Sequence, residues 1–251
     1  MMEAGTMLWL TGWSMPASAF DKLQVQLPEY GHIVCDYAKA ESADEMIAYV
    51  LETARSVRAL PEAAGGRRPL IAAGWSLGGL LALRLADEGL ADGLLLLSGT
   101  AKFTRGREES GLGWPDGYVR QMAAQLGRDR QAVEEQFRKA VLTKEESEAG
   151  LGSQLPPGGG WSTESLLAGL QLLRREDYTG TLPGIRCPAL LVHGTADTIC
   201  PFGAAEEMAA GLPGAKLAAM PGCGHAPFLG REEEIAEKVR SWRNECGQKF
   251  Y

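Results

Sequence analysis

Short runs of apolar residues alternate along the chain with longer stretches whose apolar residues recur at helical spacing. The runs have the length of buried strands, and the stretches between them are long enough for crossover helices. This alternation is typical of βαβ units and predicts an α/β domain with a mostly parallel sheet of about six strands. The strands are predicted at Met7–Leu10, His32–Cys35, Pro69–Ala73, Leu94–Leu97, Ala189–His193 and Lys216–Met220.

The intervening stretches carry the helical signal. In the first of them, Met46, Ile47 and Val50 share one helical face,. Helices of this kind would cover the two faces of the sheet. They are predicted at Ala43–Leu60, Leu77–Leu90, Thr163–Leu173, Gly203–Leu212 and Glu232–Glu245.

One segment in the middle of the chain departs from this alternation. Residues 103–161 are polar and rich in charge, and glycine and proline interrupt them at Gly111–Gly117 and Leu155–Gly160,. Between these breaks, Tyr118–Ala149 consists mostly of helix-forming residues,. We therefore predict a core of residues 1–102 and 162–251, interrupted by a helical cap or lid of residues 103–161, called the cap below.

Composition narrows the class of protein. The chain has 251 residues, of which 45% are hydrophobic, and a formal net charge of -7. The negative charge argues against a nucleic-acid partner. No apolar run reaches the roughly 20 residues of a membrane span, and the first residues lack the features of a signal peptide. We expect a cytoplasmic protein with no membrane contact.

The cysteines and motifs give no sign of a cofactor. Five cysteines are scattered along the chain without a CxxC pair. This spacing suggests neither a disulfide framework nor a zinc site. The sequence therefore predicts no metal and no organic cofactor.

The strongest chemical signal is the Gly-Trp-Ser-Leu-Gly sequence of Gly74–Gly78. It matches the G-x-S-x-G nucleophile elbow, in which a serine occupies a strained turn between a strand and a helix. Small residues on either side let the backbones approach, and the helix N-terminus faces the reacting centre. Because the motif lies between a predicted strand and a predicted helix, Ser76 is the predicted nucleophile. A glycine-rich turn with an idle serine is the alternative.

A serine hydroxyl needs a base, and the base needs an acceptor that orients it. His225 lies in a glycine-rich loop after the last predicted strand, and Asp197 follows the strand before it. The chain order Ser76, Asp197, His225 is that of α/β-hydrolases. A surface role for His225 and a helix cap at Asp197 are the alternatives. His193 and His32 are interpreted as structural.

An oxyanion hole requires two backbone N–H groups aimed at the developing negative charge. We expect one from Leu77, directly after the nucleophile, and one from Trp13, in the loop after the first strand. The Trp13 side chain is also a candidate to line the substrate pocket, although packing at the domain edge would explain it too. Phe137 in the cap is a second pocket candidate, with ordinary cap packing as the alternative.

Four segments make the chain resemble the small carboxylesterases of the α/β-hydrolase superfamily, in particular the pimeloyl-carrier-protein methyl ester esterases of biotin synthesis. The matching segments are Leu10–Trp13, Gly74–Gly79, His193–Asp197 and Gly224–Phe228. The resemblance covers the core and extends only weakly into the cap. It implies hydrolysis of the methyl ester of a carrier-bound pimeloyl group to the free acid and methanol, with acyl carrier protein as the partner; a small-molecule acyl ester is the alternative substrate. The cap residues that would receive an acidic carrier are Arg120, Arg128, Arg130, Arg138 and Lys139, for which solvated helix charges are the alternative.

The chain departs from that family's pattern in three places. Thr11 stands where a histidine is usual, and Tyr37–Ala40 replaces an expected glycine-rich turn. Only about five residues precede the first predicted strand, so we expect no counterpart of the usual N-terminal hairpin. Other functions on the same fold therefore stay open: a lactonase, a thioesterase, a lyase of the type used in menaquinone synthesis, or a non-catalytic binding module.

Overall fold

The computed structural model describes residues 4–60 and 68–247. The outermost residues of the predicted core, 1–3 and 248–251, and the segment 61–67 lie outside the described residues. A six-stranded parallel sheet forms the centre of the described part, as predicted, and its strand order is β2-β1-β3-β4-β7-β8. Its strands are β1 (Thr6–Leu10), β2 (Gly31–Val34), β3 (Leu70–Trp75), β4 (Gly93–Leu97), β7 (Ala189–Gly194) and β8 (Lys216–Met220).

Two further short strands, β5 (Thr104–Arg105) and β6 (Trp114–Pro115), pair with each other at the start of the cap. The helices of the core are α1 (Asp21–Val25), α2 (Ala43–Arg58), α3 (Leu77–Asp87), α7 (Thr163–Arg175), α8 (Phe202–Gly211) and α9 (Glu232–Cys246). The cap contains α4 (Asp116–Leu126), α5 (Arg130–Ala140) and α6 (Lys144–Glu148).

Side-chain caps define where several helices begin. The Ser42 side chain accepts a hydrogen bond from the Glu45 amide at the start of α2, and Ser162 does the same for Ser165 in α7. Each such bond satisfies one of the backbone donors that a helix N-terminus leaves free. Both helices therefore begin at the residue after a serine.

The parallel arrangement brings the carboxyl ends of the strands to one edge of the sheet. Strand β1 leads into Thr11, β3 leads into Ser76, and β7 leads to Asp197 within three residues. In the register, Leu10 is opposite Gly74 and Gly194 is opposite Met220. Loops from distant parts of the sequence therefore meet above this edge, as in other open α/β sheets.

The cap lies over the same edge and is tied to the core by specific bonds. The Trp114 indole donates to the Thr198 carbonyl at 2.9 Å. The buried guanidinium of Arg105 donates to a carboxylate oxygen of Glu207 on α8 at 3.0 Å. Within residues 4–60 and 68–247, no helix is long and apolar enough to span a membrane.

Candidate active site

Ser76 occupies a strained backbone position between β3 and α3. Its φ of 56° and ψ of -116° lie in a region that L-residues rarely adopt,. The flanking glycines explain how the turn closes. A Cβ on Gly74 would lie 2.2 Å from the Gly78 carbonyl oxygen, and one on Gly78 would lie 2.0 Å from the Leu10 carbonyl oxygen. Such strain is typical of functional sites and is retained where the surroundings enforce it.

His225 and Asp197, the other two predicted catalytic residues, are bonded to each other. Nδ1 of His225 lies 2.8 Å from Oδ2 of Asp197, and His225 is fully buried. The other carboxylate oxygen of Asp197 accepts from the amides of Ile199 and Cys200 at 2.8 and 3.0 Å. Both oxygens of the carboxylate are thus engaged, which fixes its orientation.

The surroundings of Asp197 favour its ionised form. Burial alone would raise the pKa of Asp197, but the charge of His225 and hydrogen bonds from His193 and His225 hold that pKa well below its usual range,. A carboxylate that stays ionised can orient the imidazole and stabilise its protonated form. Among the described residues, no side chain or backbone group hydrogen-bonds to Nε2 of His225, the nitrogen that would face a serine nucleophile.

His193 and Cys200 border this pair, and neither contact is predictable from the sequence alone. Nε2 of His193 lies 2.7 Å from the Cys200 carbonyl oxygen and 3.4 Å from Oδ2 of Asp197. Burial raises the pKa of the Cys200 thiol well above its usual value, and the nearby Ser76 side chain opposes only part of that shift,. His193 thus contacts the acid, and Cys200 is a neutral thiol that also donates its backbone amide to Asp197.

The histidine loop is also bonded to the nucleophile elbow. The indole of Trp75, the residue before Ser76, donates to the His225 carbonyl at 2.8 Å. Trp75 packs edge-on against Phe228, with ring centroids 5.1 Å apart. These contacts fix the distance between the two loops.

The loop after β1, predicted to supply an oxyanion-hole amide, lies beside Ser76. A Cβ on Gly12 would lie 3.5 Å from the Ser76 Cβ. The Trp13 indole donates to the Leu166 carbonyl at 2.8 Å, and the Tyr37 hydroxyl donates to the Thr11 carbonyl at 2.5 Å. Tyr37, one of the departures from the family pattern, therefore supports this loop.

An apolar cleft lies directly over Ser76. It is lined in part by Trp13 and Phe137, the two residues predicted to contact substrate. Their rings pack edge-on, with centroids 4.9 Å apart. Its volume of about 10 Å³ is close to that of one water position,. A larger cavity of about 480 Å³ lies between α4 and α5. Trp114, Met122 and Phe137 line both spaces.

The basic residues of the cap do not form one exposed surface. Arg130 pairs with Glu134 at 2.7 Å and also donates to the Trp161 carbonyl, while Arg138 donates to the Pro156 carbonyl. Arg120 pairs with Asp116 at 3.2 Å. Arg128 and Lys139 are exposed. In the part of the chain that the structure describes, no cluster of three or more His, Cys, Asp or Glu side chains is arranged to hold a metal ion.

Comparison with known protein families identifies the family of this chain. Residues 9–238 match the model of the alpha/beta hydrolase family. The chain belongs to this family. The predicted α/β-hydrolase fold is therefore confirmed.

Two curated relatives of this α/β-hydrolase carry the same name. The chain is 30% identical to a pimeloyl-acyl-carrier-protein methyl ester esterase of Xanthomonas oryzae, with 92% of each chain covered. It is 31% identical to the protein of the same name in Nitrosomonas europaea, covering 91% of this chain and 92% of the relative. The resemblance to the methyl ester esterases is confirmed, and the expected enzyme class, a carboxylesterase, agrees with these names.

Solved structures share the fold of this α/β-hydrolase at lower identity. An esterase from Exiguobacterium antarcticum is 21% identical with a TM-score of 0.76, covering 96% of this chain and 92% of that one. An enol-lactonase from Burkholderia xenovorans is 16% identical with a TM-score of 0.73, covering 96% of this chain and 91% of that one. At these identities the likeness concerns the fold.

Proposed function

We propose that this α/β-hydrolase is a serine carboxylesterase in which Ser76 is the nucleophile, His225 the general base and Asp197 the orienting acid. One observation carries the proposal: the 2.8 Å contact between His225 Nδ1 and Asp197 Oδ2, at the sheet edge where Ser76 occupies a strained turn directly before α3. That contact leaves Nε2 of His225 as the nitrogen available to accept the serine proton.

The reaction would proceed in two steps. His225 accepts the proton of Ser76 as the serine oxygen attacks the ester carbonyl, and it then gives that proton to the departing alcohol. Water, deprotonated by His225, attacks the acyl-enzyme and releases the carboxylic acid, with the proton returned to Ser76. The sum is ester plus water to acid plus alcohol. Asp197 stabilises the imidazolium formed in each step.

The negative charge on the carbonyl oxygen would be stabilised by the backbone amides of Leu77 and Trp13. Leu77 is the first residue of α3, so the helix N-terminus also faces the developing charge,. The loop that contains Trp13 lies beside Ser76, as the approach of Gly12 to Ser76 indicates. Two such donors, fixed in place before reaction, supply the stabilisation that an oxyanion hole requires.

The substrate we favour is the methyl ester of a pimeloyl group bound to acyl carrier protein. The shared name of the curated relatives, at about 30% identity over most of both chains, supports this choice. The apolar lining of the cleft over Ser76 suits the reacting end of an aliphatic acyl ester, and the cavity of about 480 Å³ on the other side of Phe137 has room for the rest of the chain,. The acyl carrier protein would be the macromolecular partner, docked at the cap.

The charges of the cap favour a second candidate, an esterase acting on small esters that are not carrier-bound. Residues 103–161 contain eight Lys and Arg side chains against nine Asp and Glu side chains. Arg130 and Arg138 are occupied by contacts within the protein. An acidic carrier would therefore meet a cap with no excess of positive charge, and electrostatic attraction would be weak.

Purified protein should be incubated with pimeloyl-acyl-carrier-protein methyl ester and, in parallel, with free methyl pimelate and short p-nitrophenyl esters. Ser76→Ala is the control, and we expect it to lose at least about 10³-fold in kcat while remaining folded. Preference for the carrier-bound ester supports the first candidate. Equal use of carrier-bound and free esters supports the second, and full activity of Ser76→Ala contradicts both.

A further inference from the structure

The loop that carries His225 is bonded to the cap along its main chain. The Gly224 amide donates to Oε2 of Glu146 at 3.0 Å, and the His225 amide donates to the Val141 carbonyl at 2.8 Å. Glu146 and Val141 both belong to the cap. Two successive amides of the proposed catalytic loop therefore have acceptors in the cap, not in the core.

The close approach at Gly224 shows how tightly this loop is held. A Cβ on Gly224 would lie 2.7 Å from the Val141 carbonyl oxygen and 3.0 Å from Oε2 of Glu146. On the other side of the loop, a Cβ on Gly194, at the end of β7, would lie 2.1 Å from the Gly224 carbonyl oxygen. The histidine loop is therefore enclosed between a core strand and the cap.

Glu146 is itself held by two hydrogen bonds and one ion pair, which connect it to three elements. Besides the Gly224 amide, its Oε2 accepts from the Thr143 amide at 3.1 Å, which completes the capping box of α6. Its Oε1 lies 3.1 Å from Nη1 of Arg231, directly before α9. Glu146 is only 4% exposed. A buried carboxylate is costly unless charged or polar partners compensate it, and these contacts provide that compensation.

We propose that Glu146 is a positioning residue for His225, a role that rests on the proposed function of His225 as general base. By holding the Gly224 amide, its carboxylate fixes the loop so that Nδ1 of His225 meets Asp197. The cap would then do more than cover the substrate. It would complete the support of the catalytic histidine.

The first test compares Glu146→Ala with Thr143→Ala. Both changes break the capping box of α6. Thr143→Ala removes the oxygen that accepts from the Glu146 amide at 3.1 Å, and Glu146→Ala removes the oxygen that accepts from the Thr143 amide at 3.1 Å. Only Glu146→Ala removes the acceptor of the Gly224 amide. We expect kcat on a p-nitrophenyl ester to fall about 10- to 100-fold in Glu146→Ala with KM within about twofold, because small displacements of catalytic groups are costly. Thr143→Ala should keep the kcat of the wild type even if its melting temperature falls as far as that of Glu146→Ala.

A conservative variant and a neighbour sharpen this comparison. Glu146→Gln retains an oxygen that can accept from Gly224, so it should recover most of the kcat lost in Glu146→Ala. Glu145→Ala alters an exposed residue of the same helix and should behave as wild type. Equal loss of kcat in Thr143→Ala and Glu146→Ala, or no rescue by glutamine, would overturn the positioning role.

A spectroscopic measurement separates this proposal from the proposed function. The proton between His225 Nδ1 and Asp197 should give a low-field NMR signal that is absent in His225→Gln. We expect that signal to broaden or disappear in Glu146→Ala and to persist in Thr143→Ala. If activity does not depend on Ser76, the proposed function fails while the signal still reports on Glu146. If activity depends on Ser76 and Glu146→Ala retains both kcat and the signal, the positioning role is wrong.

Discussion

The hydroxyl of Ser14 donates a hydrogen bond of 2.6 Å to Oε1 of Glu134, a residue 120 positions further along the chain. Ser14 follows Trp13 in the loop after β1, and its φ of 61° lies in the left-handed region. Glu134 lies on α5 of the cap and also pairs with Arg130. The loop proposed to provide an oxyanion-hole amide is thus held by a carboxylate of the cap.

We predict that Ser14→Ala lowers kcat about tenfold, because one misplaced oxyanion donor weakens stabilisation of the transition state. Ser14→Gly, which suits the positive φ better but also lacks the hydroxyl, should lose a similar factor. Glu135→Ala, at the exposed neighbouring position on α5, is the control. Steady-state kinetics on one p-nitrophenyl ester checks all three. If Ser14→Ala and Ser14→Gly match Glu135→Ala, the bond has no catalytic consequence.

Alanine should destabilise the fold far more at the two glycines of the nucleophile elbow, Gly74 and Gly78, than at a glycine of the cap. Gly74→Ala places a methyl group 2.2 Å from the Gly78 carbonyl oxygen, and we expect a loss of about 1–3 kcal/mol in the free energy of unfolding,. Gly117→Ala lies within α4, and no atom outside its chain neighbours and its own helical backbone lies within 4 Å of the added methyl group. Since alanine favours helix over glycine, it should gain up to about 1 kcal/mol. Urea unfolding curves test this contrast, which fails if the two variants shift in the same direction.

The β-strands were predictable because each contains a short apolar run, which is nearly continuous in the inner strands of the sheet, where both faces are buried,. The predicted strand Lys216–Met220 coincides with β8, and Pro69–Ala73 differs from β3 by only one or two residues at each end. Several of the missed end residues are polar or glycine residues that continue the ladder, as Thr6 does in β1, Gly93 in β4 and Gly194 in β7. Hydrophobicity alone gives no signal for such residues.

The contacts between the cap and the catalytic loops could not be predicted in this way. Glu146 and Gly224 are 78 positions apart, and Glu146 carries only the local signature of a helix cap, with Thr143 three residues before it. Arg130 and Arg138 illustrate the reverse case. Nothing local distinguishes an arginine that binds backbone carbonyls, as these two do, from one that meets a partner.

The ionised state of Asp197 should make stability depend on pH in the acidic range. Its pKa in the folded protein lies below the value of about 3.9 expected in the unfolded chain,. The folded state therefore gains stability from this group above about pH 4 and loses it progressively as the pH falls below that value. Asp197→Asn lacks this contribution, so the difference in melting temperature between wild type and Asp197→Asn should shrink from pH 6 to pH 3. Asp87→Asn, an exposed carboxylate at the end of α3, controls for loss of a carboxylate elsewhere. Parallel curves for wild type and Asp197→Asn would contradict the expectation.

Phe137 separates the small cleft over Ser76 from the larger cavity between α4 and α5, since its side chain lines both. Phe137→Ala should join the two spaces and admit longer acyl chains to the nucleophile. We expect the ratio of kcat/KM for p-nitrophenyl octanoate over p-nitrophenyl acetate to rise about tenfold, a change of about 1.4 kcal/mol in relative transition-state binding. Gln136→Ala, whose side chain lines the larger cavity and not the cleft, is the matched control and should leave the ratio near its wild-type value. An unchanged ratio in Phe137→Ala would mean that the acyl chain reaches Ser76 by another path.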